Sequence, residues 1–85
     1  MGARKKTAAK KTRVLVVDDH PLLRFALAQL LNKTADLTCC GEADGVLLAR
    51  TALKQHAPDL VLLDLSLADG DGFELIQEWK LVASV

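Results

Sequence analysis

The chain has 85 residues, of which 51% are hydrophobic, and its 11 basic and 11 acidic residues balance to a formal net charge of zero. This length allows one small domain, and no apolar run approaches the roughly eighteen residues of a membrane-spanning helix. The basic start is not followed by a long apolar segment and a cleavage site, which argues against a secretory signal peptide. We therefore expect a cytoplasmic protein with no membrane partner.

The first thirteen residues differ in charge from the rest. They contain six of the eleven basic residues and no acid, so the remainder carries five basic and eleven acidic residues, a net charge of −6. Since residues 1–13 show no apolar periodicity, we predict a disordered basic leader there and a folded domain over residues 14–85. The leader is either a segment that binds nucleic acid or another acidic surface, or a solvated extension without a role.

Residues 14–18 are predicted to form the first strand, because residues 14–17 are Val-Leu-Val-Val, an unbroken apolar run typical of a parallel strand buried on both faces. Pro21 suits the first position of a helix. A stripe at helical spacing follows and predicts a helix that ends near residue 33, with a core face made of Leu23, Leu27, Leu30 and Leu31.

The next elements are a weaker strand and a second helix. Residues 37–42 are predicted to form the strand, in which the adjacent Cys39 and Cys40 are expected to be small buried residues in a reduced compartment. Asp44 is predicted to cap a helix over residues 46–55. The face of that helix toward the sheet is expected to contain Leu48, Ala52 and Leu53.

A second apolar run, Leu-Val-Leu-Leu, predicts a third strand over residues 60–64, and residues 65–71 are expected to form a loop. A last helix is predicted to begin near Gly72, with an apolar face that includes Phe73, Ile76, Trp79 and Val82. Strands that alternate with helices indicate an α/β fold with a parallel sheet and right-handed crossovers.

Three aspartates follow the two apolar strands. Asp18 and Asp19 come directly after the first run, and Asp64 comes directly after the third strand's run. Parallel strands end at the same edge of a sheet, and neighbouring strands lie about 4.8 Å apart, so these carboxylates would meet if the two strands are neighbours. Carboxylate oxygens are the ligands that Mg²⁺ prefers. The pattern therefore predicts a magnesium site with one carboxylate free for chemistry.

Four motifs in order resemble receiver domains of two-component response regulators. They are Val-Leu-Val-Val-Asp-Asp-His-Pro-Leu-Leu-Arg at 14–24, Cys-Gly-Glu-Ala at 40–43, Ala-Pro-Asp-Leu-Val-Leu-Leu-Asp-Leu at 57–65, and Asp-Gly-Phe-Glu-Leu at 71–75. The Asp-Asp-His-Pro form resembles the NarL/FixJ-type subgroup, whose members usually carry a LuxR-like helix-turn-helix output domain. The resemblance implies a flavodoxin-like (CheY-like) doubly wound parallel sheet with strand order 2-1-3-4-5.

The resemblance also implies a role for each site residue. Asp64 matches the phosphoacceptor, Asp19 matches the direct Mg²⁺ ligand, and Asp18 matches the carboxylate that binds the ion through water. Ser66 matches the residue whose backbone carbonyl completes the metal ligands. The phosphodonor would be a sensor histidine kinase, and the parent protein a DNA-binding transcriptional regulator. The segment itself would neither bind DNA nor turn over a substrate as an enzyme.

The sequence departs from the family pattern after the third strand. Ala68 stands where the family usually has proline, and Asp69 and Asp71 are expected to form turns. Ser84 comes too soon to be the fourth-strand hydroxyl, and Lys80 lies in the last predicted helix instead of following a fifth strand. We therefore expect a partial receiver, β1-α1-β2-α2-β3-α3, whose third strand is an exposed edge open to self-association.

Two alternatives belong to other functional classes. A haloacid-dehalogenase-like phosphatase also places an aspartyl nucleophile after a buried strand, but it has a second acid two residues later, where this chain has Ser66. The other alternative is a non-catalytic interaction or decoy module. His20 is expected to be a turn residue at the start of the first helix and not a metal ligand, and His56 is expected to be a solvated helix end.

Overall fold

The computed structural model describes residues 10–67, 70 and 72–83. They form three strands and three helices in alternation: β1 (Thr12–Val17), α1 (Pro21–Lys33), β2 (Leu37–Ala43), α2 (Val46–His56), β3 (Leu60–Leu63) and α3 (Gly72–Ala83). The strands make one parallel sheet in the order β2-β1-β3. The predicted α/β fold of the CheY-like kind, with the first strand central, is confirmed. Within the described residues, no helix combines the length and the apolar character that a bilayer crossing requires.

The central strand begins two residues earlier than predicted. Thr12 and Arg13 pair with the start of β2, so these two residues belong to the sheet and not to a leader. The strand ends at Val17, and Asp18 therefore lies just beyond it. Of the rest of the predicted leader, residues 1–9 lie outside the described part of the chain.

Arg13 ties the start of β1 to the end of α2. Its guanidinium donates hydrogen bonds to the carbonyls of His56 and Ala57, and its backbone N–H donates to Asp59 Oδ2 at 2.8 Å. Ala57 has a φ of 44°, the left-handed conformation that commonly terminates a helix. These contacts satisfy carbonyls that the end of α2 would otherwise leave without a partner.

The core lies on both faces of β1. Residues 14–17 are all fully buried, with no exposed surface. Leu15 and Val17 pack with residues of α2 and α3, whereas Val14 and Val16 pack on the other face with Leu31 of α1. The prediction of a central strand buried on both faces is therefore confirmed.

The buried face of α1 is narrower than predicted. Ala28 and Leu31 are buried and Leu27 is partly buried, but Leu23 is 49% exposed and Leu30 is 63% exposed. Leucine at helical spacing marks an apolar side without showing how much of it is covered. In the described chain, α1 packs chiefly against β1 and β2, and these strands cover only the part of the stripe around Leu31.

The second helix faces the sheet with mostly small residues, and its predicted buried side is right in part. Val46, Ala49 and Ala52 are buried, and Leu48 is exposed. Asp44 does not cap the helix, because Gly45 occupies the N-cap position and no side-chain cap is present. The prediction is confirmed at Ala52 and at Leu53, which packs against the core, and is wrong at Leu48, because the small Ala49 faces the sheet where hydrophobicity favoured the leucine.

The third strand is covered on one face only. Val61 and Leu63 pack against the core, but Leu60 and Leu62 are exposed. The unbroken apolar run of β3, like that of β1, favours burial on both faces, and this is wrong for β3, because α1 packs chiefly against β1 and β2 and leaves that face of β3 open. On α3, Leu75 is buried and Phe73 is exposed, so the predicted apolar face of that helix is also wrong at Phe73.

Candidate metal and phosphoacceptor site

The register of β1 and β3 brings two of the three aspartates together. Val17 pairs with Leu63 in a parallel ladder, so Asp18 and Asp64 leave the sheet side by side at its carboxyl edge. The backbone N–H of Asp64 donates to the Val17 carbonyl at 3.0 Å, and that of Asp18 donates to the Ala43 carbonyl of β2 at 3.0 Å. The sheet therefore holds the backbone of both residues in place.

Four side chains meet at this edge: Asp18, Asp19, His20 and Asp64. One carboxylate oxygen from each aspartate and the Nδ1 atom of His20 all lie within 4.8 Å of one another. Asp18 is buried at 6% exposure, Asp19 and Asp64 are partly buried, and the His20 side chain is 65% exposed. The cluster is thus closed underneath by the sheet and open toward solvent.

Asp18 is the most buried of the three carboxylates. Its Oδ1 accepts hydrogen bonds from the His20 backbone N–H at 2.9 Å and from His20 Nδ1 at 2.7 Å. Its backbone carbonyl accepts a hydrogen bond from Arg24 at 2.8 Å, and Arg24 forms an ion pair with Glu42 at 3.2 Å. These contacts fix the Asp18 carboxylate with one edge directed toward the cluster.

His20 lies at the start of α1, as predicted, but its ring is inside the carboxylate cluster and not apart from it. Its Nδ1 lies 3.1 Å from Asp19 Oδ1 and 3.7 Å from Asp64 Oδ2, in addition to the Asp18 contact. The hydrogen bond to Asp18, followed by the charges of Asp19 and Asp18, raises the pKa of His20. The signal that could have found it is its position between Asp18-Asp19 and Pro21, which begins α1 and limits where the ring can lie.

Asp64 is held in its ionised form by Ser66. The Asp64 Oδ1 atom accepts hydrogen bonds from the Ser66 backbone N–H at 2.9 Å and from the Ser66 hydroxyl at 2.7 Å. These two bonds lower the pKa of Asp64, and the nearby His20 charge lowers it further. A carboxylate is a nucleophile and a metal ligand only as the anion. The predicted metal-binding role of the Ser66 carbonyl stays a prediction.

The donor set fits a hard divalent cation. Around an octahedral Mg²⁺ with ligand bonds of about 2.0–2.1 Å, adjacent ligand atoms lie about 3 Å apart and opposite ones about 4.2 Å apart. The 4.8 Å span of the cluster needs only a small contraction to reach those separations. Because the outer side is open, water and a phosphoryl oxygen can fill the remaining positions. Residues 68, 69 and 71, which include both predicted turn aspartates, lie outside the described residues.

The fold and this cluster define a class of protein. Residues 14–83 match the family of response regulator receiver domains, and the chain belongs to that family. Receiver domains are the phosphoacceptor modules of two-component response regulators.

Solved structures agree with this assignment. The signal receiver domain of the response regulator NarL from Mycobacterium tuberculosis superposes with a TM-score of 0.79 at 34% identity, over 86% of this chain and 59% of that one. The response regulator domain of CheB from Thermotoga maritima gives a TM-score of 0.80 at 27% identity, over 87% of this chain and 55% of that one.

Curated relatives are longer and of more than one kind. A protein-glutamate methylesterase/protein-glutamine glutaminase from Burkholderia lata is 38% identical over 85% of this chain and 20% of its own length. The sensory transduction protein LytT from Bacillus cereus is 48% identical over 74% of this chain and 26% of its own length. The chain therefore spans about a fifth to a quarter of the length of these relatives.

Proposed function

We propose that this receiver accepts a phosphoryl group on Asp64 from a sensor histidine kinase, with Mg²⁺ held by Asp18, Asp19, Asp64 and the Ser66 carbonyl. The observation that carries the proposal is the meeting of carboxylates from two separate strand ends within 4.8 Å. Asp64 follows the strand that ends beside β1, and its carboxylate is kept anionic by Ser66.

In the proposed reaction, an Asp64 oxygen forms a bond to phosphorus while the bond from phosphorus to the kinase histidine nitrogen breaks. Bound Mg²⁺ would supply positive charge to the phosphoryl oxygens. The chain's own part is to hold Asp64 as an anion through Ser66 and to fix Asp18 through its bonds with His20 and Arg24. The partly exposed face of Asp64 gives the donor access.

The kinase partner is supported by exposed apolar side chains beside the site. Leu22 and Phe25, on the first two turns of α1, are 85% and 60% exposed. They lie two and five residues after His20, on the helix that begins at the site. We propose that they form part of the kinase contact, because exposed apolar groups next to a reactive site are typical of partner surfaces.

The wider biological assignment follows the NarL-type resemblance. We propose that the parent protein is a cytoplasmic DNA-binding transcriptional regulator, that this segment does not contact DNA, and that it is a phosphoacceptor and not a turnover enzyme. Relatives named as a methylesterase and as LytT also match this chain, so the output domain of the parent protein is proposed from the Asp-Asp-His-Pro motif and not from the relatives.

Labelling with acetyl phosphate in the presence of Mg²⁺ tests the phosphoacceptor. We expect one phosphoryl adduct, which borohydride trapping and mass spectrometry locate at Asp64, and no adduct in Asp64→Ala. Asp36→Ala is the matched control, because Asp36 is exposed and precedes β2 at the opposite end of the sheet. An adduct that persists in Asp64→Ala would refute the assignment. Steady hydrolysis of a phosphomonoester would indicate the phosphatase alternative, and the absence of any adduct would indicate the interaction module.

Metal and kinase dependence have separate tests. Mg²⁺ binding should be weak, because few protein ligands leave several waters on the ion, and Asp19→Asn should weaken it more than Asp18→Asn. Phe25→Ala should slow transfer from a kinase without slowing labelling by acetyl phosphate. Leu30→Ala, at the far end of α1 and 63% exposed, should change neither rate.

A further inference from the structure

His20 is held over the carboxylate cluster by its own backbone. It is the N-cap residue of α1, with φ −99° and ψ 102°, and its N–H donates to Asp18 Oδ1 at 2.9 Å. Pro21 follows at the first helical position, where its ring restricts the backbone. The imidazole consequently projects across the carboxyl edge of the sheet and not along the helix surface.

The position of Nδ1 matches that of one further ligand atom around a single ion. Its separations from the nearest oxygens of Asp18, Asp19 and Asp64 are 2.7, 3.1 and 3.7 Å. Adjacent ligand atoms around a tetrahedral Zn²⁺ with bonds of about 2.0–2.1 Å lie about 3.3 Å apart, within the range of these three separations.

We propose that His20 Nδ1 is a ligand that lets this site take a borderline divalent cation such as Zn²⁺ or Co²⁺ through a mixed nitrogen and oxygen donor set. The inference rests on the cation site of the proposed function and extends it to the identity of the ion. For ligation the ring must be neutral with its hydrogen on Nε2, so binding of the ion replaces the hydrogen bond from Nδ1 to Asp18.

The expected selectivity follows from the ligand chemistry. Imidazole nitrogen suits zinc and neighbouring transition ions, whereas Mg²⁺ keeps oxygen ligands and several waters. His20 should therefore contribute to the binding of Zn²⁺ and hardly at all to that of Mg²⁺. A receiver with an aliphatic residue at this position would have only oxygen donors from the same two strand ends.

Nuclear magnetic resonance on protein with ¹⁵N-labelled histidine distinguishes ligation from simple proximity. Zn²⁺ should shift the Nδ1 resonance of His20 and leave that of His56 unchanged, since His56 ends α2 at the opposite edge of the sheet. Mg²⁺ at saturation should leave both ring nitrogens nearly unchanged. A His20 ring that does not respond to Zn²⁺ would overturn the proposal.

The matched variant is His20→Ala. Metal binding is followed at the backbone amides of Asp18 and Asp64, so that zinc bound to Cys39 or Cys40 is not measured. Loss of one nitrogen ligand should weaken Zn²⁺ by about tenfold or more and change Mg²⁺ by less than about threefold. Equal losses for both ions would mean that His20 only positions Asp18, which overturns the ligand assignment. Zinc ligation without any Mg²⁺ response in the unmodified chain would keep this inference and refute the magnesium site of the proposed function.

Discussion

Replacing Asp19 with asparagine should stabilise the metal-free protein, because it removes a negative charge from a cluster of three. Oxygens of Asp18 and Asp19 lie within 4.8 Å of each other. At that distance two unit charges repel by about 0.9 kcal/mol with the dielectric constant of water and by about 3.5 kcal/mol with an effective value of 20. Since the Asp19 side chain is 27% exposed, we take the lower part of this range, about 1 kcal/mol.

The assay is thermal unfolding with a chelator present at about pH 9, because the aspartates raise the pKa of His20 above the ordinary imidazole value of about 6.5 and a high pH is needed to remove its compensating charge. A gain of about 1 kcal/mol corresponds to a rise in Tm of about 4–8 °C for a domain of this size. Asp36→Asn removes the same charge at the opposite end of the sheet and should change Tm little. With Mg²⁺ added, the unmodified chain should gain stability and Asp19→Asn should gain less.

The reasoning is refuted if metal-free Asp19→Asn melts at or below the temperature of Asp36→Asn. That result would mean that the carboxylates are held together by local contacts that outweigh their repulsion. The site would then be stable without a cation, and repulsion among the carboxylates would not favour metal binding.

Three further predictions concern the core, an ion pair and the edge strand. Leu15→Ala leaves a cavity at a fully buried position in β1. It should lower the free energy of unfolding by about 2–5 kcal/mol, out of a total of about 4–13 kcal/mol. Equal denaturant midpoints for Leu15→Ala and the exposed control Leu48→Ala would contradict this. Glu78 binds Arg50 through both oxygens at 2.7 and 2.8 Å, and these bonds lower the pKa of Glu78 below its ordinary value of 4.5. Glu78→Gln should therefore be less stable than the unmodified chain at pH values above the ordinary glutamate pKa. The difference in stability should disappear as the pH falls through the folded-state pKa of Glu78. A difference that does not change with pH would argue against the ion pair. The 85-residue chain should self-associate through β3 in light scattering, and Leu62→Lys should reduce this by placing a charge on the edge; a monodisperse monomer at all concentrations would contradict the prediction.

Two features could be predicted from sequence: the central strand, whose residues are buried on both faces, and the place of the aspartates at the strand ends. The run at residues 14–17 is apolar at every position because both sides of β1 are covered, and the three aspartates could be placed because strand ends in a parallel sheet share an edge. These predictions needed only local pattern and topology.

The predictions that failed depend on how far neighbouring elements extend. Leu48 and Phe73 are apolar but exposed, because the spacing of hydrophobic residues does not show which side of a helix its neighbours cover. The run Leu60–Leu63 looks like residues 14–17, yet one of its faces is open. The His20 contact was missed because a ring position depends on the backbone angles at the start of α1, which residue type alone does not specify.

The pairing of β1 with β3 has a consequence for how the chain reaches its native state. A slip of one residue along β3 would shift Asp64 by about 3.3 Å and turn it to the opposite face of the sheet. Only the native alignment of Val17 with Leu63 concentrates the negative charges, so a bound cation would favour that alignment over every slipped one. The ion would then stabilise the native strand register during folding, in addition to any part it takes in phosphoryl transfer.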